Sequence, residues 1–120
     1  MNKKELTTRV WYKVPVDTLL HELKIPNLTA DYLPEVCRLN PQKITSTMLS
    51  LVERTIEEEG ITLMPIKAAL PTKKDEQHIE CVVMLGGEER EVEQLLASDL
   101  GFERLANARE QDRSAPIIRR

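Results

Sequence analysis

A chain of 120 residues, 41% hydrophobic and 31% charged, fits one soluble globular domain and excludes a disordered composition. Such a domain buries roughly 60% or more of its unfolded surface, enough for a core without staples. A net charge of -3 has the wrong sign for a general phosphate-backbone binder, and aromatics at 3% leave few platforms for stacking bases.

The first element lies in TTRVWYKV, where Val10, Tyr12 and Val14 alternate with Arg9, Trp11 and Lys13. That period of two predicts a half-buried strand ended by Pro15. Val16, Leu19, Leu20 and Leu23 then form the stripe of a short helix that stops before Pro26. A second short helix runs from Asp31 or Tyr32 to Leu39, with Pro34 tolerated in its first turn. Asn40 and Pro41 make a helix start, Ile44, Met48, Leu51, Val52 and Ile56 make one apolar stripe, and Gly60 offers a left-handed closure. Residues 41–59 are therefore read as helical, with Ile61 folding back on Ile56.

Beyond that helix, ITLMPIKAAL and HIECVVML flank the polar stretch PTKKDEQ, which predicts two antiparallel strands. Pro65 places the first on an edge, where a missing amide does no harm. The second has Ile79, Cys81, Val83 and Leu85 on one face, Val82 and Met84 on the other, and is read as central. Val92, Leu95, Leu96 and Leu100 mark a last helix closed by Gly101, and FERLANARE is a strand or a short helix. The sum is an α+β domain: a small antiparallel sheet of three or four strands with about four helices on one face. It spans residues 1–107, followed by a flexible tail over 108–120.

Gly86 and Gly87, between a strand and a helix, have the position of a phosphate loop. The next residues, Glu88, Glu89, Arg90, Glu91 and Glu93, would repel a phosphate but suit the positive end of a helix dipole. The glycines are read as a plain turn. Cys37, Cys81, His21 and His78 lack the close pairing of a zinc site, and no Ser, Cys or His sits in a nucleophile setting. No catalytic residue, metal or cofactor is assigned.

Two features break local rules. Glu57, Glu58 and Glu59 end a helix where the dipole disfavours negative charge, a place that a basic partner would relieve. Trp11 stands between Arg9 and Lys13, and tryptophan beside cations is enriched at interfaces. Were the first strand an edge, it would also pair with a second copy to give a homodimer.

The reading is a small, non-enzymatic protein-interaction or regulatory module (adaptor, anti-activator or assembly chaperone) whose partner-binding residues are Arg9, Trp11, Lys13, Glu57, Glu58 and Glu59. With two thiols, no signal-peptide core and no membrane-length apolar run, it is placed in the cytoplasm, away from membranes. One alternative is a nucleic-acid-binding transcriptional regulator with a helix-turn-helix-like segment at 16–59, disfavoured by the acidity of that segment. Another is a small-molecule sensor or small enzyme using a pocket between sheet and helices.

Overall fold

The computed structural model describes residues 5–105. In chain order these form β1 (Glu5–Pro15), α1 (Val16–Leu23), a 3-10 turn (Ala30–Tyr32), α2 (Leu33–Leu39), α3 (Pro41–Glu58), β2 (Met64–Ala68), β3 (Thr72–Lys73), β4 (His78–Glu88), α4 (Glu89–Ala97) and β5 (Phe102–Arg104). The expected tail, 108–120, lies outside the described residues.

The sheet is wholly antiparallel and runs β2-β4-β1-β5, with β3 paired to β4 on the same side as β2. Leaving β3 aside, strand, helices, two strands, helix, strand in that order is the split β-α-β, ferredoxin-like arrangement. Five strands replace the expected three or four. The additional one is a two-residue pairing, Thr72 with Glu80 and Lys73 with Ile79, within the stretch read as a loop.

One face of the sheet is the core. Val10, Tyr12 and Val14 from β1, Ile79, Cys81, Val83 and Leu85 from β4, and Phe102 from β5 are all buried. They join one cluster with Leu19, Leu23, Ile44, Met48, Leu51, Val52, Ile56, Val92 and Leu95 from the helices. At about 1.5–3 kcal/mol gross for each large aliphatic side chain removed from water, this layer accounts for the helices lying where they do. Tyr12 and Phe102 stack with ring centroids 4.7 Å apart, which anchors the short β5 to the centre of the sheet.

The helix ends follow local rules where backbone geometry controls them. Gly60 has φ 72° and Ile61 donates its N–H to the Ile56 carbonyl at 3.2 Å, which closes α3 as its sequence foretold. Asn40 makes no side-chain capping bond; its carbonyl instead accepts the Ile44 N–H at 3.4 Å. Pro65 does lie on an edge strand, and a bulge between Pro65 and Lys67 shifts the register there.

Three expectations are corrected. Gly86 and Gly87 are not a turn but the end of β4, opposite Thr7 and Leu6. Gly87 does have the positive φ expected of it, 148°, where a side chain is strained and its Cβ would stand 2.7 Å from Leu63 Cδ2; a Cβ at Gly86 would lie 3.1 Å from Ile66 Cδ1. Helix α4 closes at Ala97, with Asp99 left-handed at φ 57°, and Gly101 serves elsewhere. A Cβ at Gly101 would meet the Lys13 carbonyl oxygen at 2.5 Å, so this residue is what lets β5 approach β1. Finally, β1 is not an edge: Val10, Trp11 and Tyr12 pair with β4 on one side and β5 on the other. Strand addition at Trp11 is closed by that pairing.

Candidate functional site

Because β1 and β4 alternate, burying one set of side chains under the helices turns the other set to the opposite face. That face carries Thr7, Arg9, Trp11 and Lys13 on β1 and Glu80, Val82, Met84, Gly86 and Glu88 on β4. Among the described residues no helix covers it. The register places Trp11 between Val82 and Glu103, and Met84 between Arg9 and Lys67. Lys13 stands opposite Glu80.

The apolar part extends to the β2 edge. Met64 lies opposite Gly86 and is 67% exposed, and Ile66, thrown out of register by the bulge, is 46% exposed with its Cδ1 over Gly86. Trp11, Val82 and Met84 are half-buried. Together these residues form an apolar band from the middle of β1 to the β2 edge. A hydrophobic band rimmed by polar groups is the usual composition of an interaction surface.

The charges on this face are unbalanced. Arg9, Lys13 and Lys67 are exposed and have no ion-pair partner among the described residues, whereas Glu80 is held by Lys74 at 3.7 Å. Glu88, of the same parity at the end of β4, pairs with Arg90 at 3.2 Å, and Glu103 lies opposite Trp11. Around Trp11 and Met84, a chain of net charge -3 therefore presents three exposed cations, Arg9, Lys13 and Lys67.

Of the residues singled out from the sequence, Arg9, Trp11 and Lys13 come together here. Glu57, Glu58 and Glu59 do not. They are exposed at the end of α3, in the helical layer, and form a separate acidic patch. Sequence reasoning missed Met64, Ile66, Lys67, Val82, Met84 and Glu103. Val82 and Met84 were visible as a second apolar face of β4, while Ile66 and Lys67 were hidden by the bulge, which breaks the alternation of β2.

Elsewhere, ionisable groups perform structural tasks. Glu91 accepts the Thr62 backbone N–H at 2.8 Å and its hydroxyl at 2.6 Å, tying the start of α4 to the segment before β2. Arg54 pairs with Glu22 across α3 and α1, and Arg38 with Glu35 within α2. Those two pairs engage basic groups of the helix-turn-helix-like segment, and the apolar stripe of α3 is spent on the core. Asp75 accepts the Gln77 and His78 N–H groups at 2.8 and 2.9 Å and faces His78 Nδ1 at 3.0 Å. The Gln77 bond, then His78, holds its carboxyl below the usual range, which locks the turn into β4.

Burial pushes the Cys81 thiol up to about 12, with Glu80 adding to the effect, and burial also raises Cys37. Both are free thiols in the neutral, unreactive form at neutral pH. Burial raises Tyr12, partly offset by a hydrogen bond with Thr55. Among the described residues no His, Cys, Asp or Glu cluster of metal-binding size occurs, and no polar or charged residue is buried. A shallow groove of about 380 Å³ between α4 and β5 is lined by Glu93, Leu96, Ala97, Phe102, Glu103 and Arg104, with Glu93 and Arg104 ion-paired across it. No helix among the described residues is long and apolar enough to cross a membrane.

Compared with protein-family models, with curated proteins and with solved structures, the chain matches none of them.

Proposed function

We propose that this protein is a non-enzymatic protein-interaction module, an adaptor, anti-activator or assembly chaperone acting in a reducing compartment such as the cytoplasm, and that it works through the open face of its sheet. One observation carries the reading: among the described residues a single sheet has its helices on one side, while the other side presents Trp11, Val82, Met84, Met64 and Ile66 with cations around them that have no ion-pair partner there. Leaving such a band in water forgoes about 25 cal/mol for each Å² that a partner could cover. The acidic end of α3, Glu57 to Glu59, is a second surface, suited to a basic partner. The two free thiols support the compartment.

Trp11 is the sole tryptophan of the chain, so its fluorescence reports on this face alone. A neutral aqueous quencher is expected to reach it in the dilute, isolated protein and to be excluded once a co-purified partner is bound. A complex in which Trp11 is quenched as readily as in the free protein would rule the face out. Retention on heparin that collapses between low and moderate salt would favour the nucleic-acid alternative instead.

A further inference from the structure

Resting on that reading, we infer that the open sheet face receives an acidic, amphipathic segment of another protein, one carrying aliphatic or aromatic side chains between its carboxylates. The face has two kinds of unmet demand. Its band of Trp11, Val82, Met84, Met64 and Ile66 calls for apolar cover, and Arg9, Lys13 and Lys67 call for negative charge. The two are interleaved: Arg9 and Lys67 bracket Met84, and Arg9 and Lys13 bracket Trp11 along β1. A ligand that satisfies one demand without the other would bury unpaired cations or leave the band wet.

The same arrangement disfavours other occupants. Laying the face on a second copy of itself would bring two sets of Arg9, Lys13 and Lys67 together, with Glu80 and Glu88 already held by Lys74 and Arg90 and Glu103 left on each side. The chain's own residues 106–120 carry Arg109, Arg113, Arg119 and Arg120 against Glu110 and Asp112, so they have the wrong sign. A single-stranded nucleic acid would find one stacking platform, Trp11, and nothing for the aliphatic remainder of the band.

The experiment is to pan a random linear-peptide display library on the immobilised full-length protein and to measure synthetic copies of the enriched peptides by Trp11 fluorescence. Enriched peptides are expected to hold more Asp and Glu than Lys and Arg, among apolar residues, and to bind the Arg9→Glu/Lys13→Glu variant about tenfold or more weakly. Both positions are exposed, and far-UV circular dichroism verifies folding; Lys67→Glu replaces the double variant if it does not fold. No enrichment, basic or uncharged winners, or equal binding to the variant overturns the acidic-partner assignment alone. A thymidine oligonucleotide that binds the wild type with steep salt dependence and loses binding in the variant overturns the interaction-module reading itself. Sedimentation showing a dimer that the variant abolishes assigns the face to a second copy and likewise overturns the inference.

Discussion

The two faces of one sheet are built from the same strands, residue by residue in alternation, yet they are held to different rules. On the covered face each β1 and β4 side chain from Val10 to Val14 and from Ile79 to Leu85 is buried against helices. On the open face their immediate neighbours, Arg9, Trp11, Lys13, Val82 and Met84, lie half-buried or exposed. The first face is answerable to packing, and a change there is felt as lost stability. The second carries little packing load, so a change there is expected to spare the fold and, on the proposed reading, to be felt in binding. The proposed interaction reading rests on that division.

The sharpest way to break it is a matched pair on adjacent residues of β4. Leu85→Ala, fully buried, is expected to cost about 2–5 kcal/mol by urea unfolding, whereas Met84→Ala next to it costs less than about 1 kcal/mol. Equal losses would mean that the open face is covered by something and belongs to the core. Second in size is the attachment of β5, which completes the open face beside Trp11. Gly101→Ala combines a φ of 97° with a backbone clash against Lys13, and is expected to lower stability by about 1–3 kcal/mol. A neutral outcome would show that β5 does not pair with β1 in solution.

A third comparison uses pH on the covered face. The Cys81 thiol ionises from about 9 in the unfolded chain but only near 12 when folded, so the native state holds more protons between those values. Its contribution is complete below pH 9 and is lost as pH rises toward 12. Burial of Tyr12 acts in the same direction. Cys81→Val should flatten the alkaline limb of a stability–pH curve, while charge variants on the open face leave it unchanged. The smallest effect belongs to the acidic helix end. Glu57→Gln and Glu58→Gln are each expected to raise stability by about 0.3 kcal/mol or a little more, measurable as a small upward shift in melting temperature. A loss of stability would mean these carboxylates have a structural partner.

The elements that were legible are those whose signals are local. The alternation in β1, the apolar stripe of α3, the Gly60 closure and the edge position of Pro65 need only a residue and its near neighbours in sequence. Three of the misreadings share one cause, close approach of segments distant in sequence. Gly86 and Gly87 looked like a turn because the side chains they make room for, Ile66 and Leu63, sit more than a dozen residues away. Gly101 looked like a helix stop because its neighbour is Lys13. Likewise β1 looked like a candidate edge because the strand that flanks it, β5, is only three residues long.

Alone, then, the sequence determined the helix and strand segments other than β3 and β5, an aliphatic interior, and the adjacency of Trp11 to Arg9 and Lys13, since periodicity and propensity act within one segment. Tertiary structure decided that Trp11 has Val82 and Glu103 as neighbours, that Met64, Ile66 and Lys67 share its face, and that Glu57 to Glu59 do not. The reason is register: which residues of separate strands lie opposite one another follows from hydrogen bonding and packing between them, and no single segment carries that information.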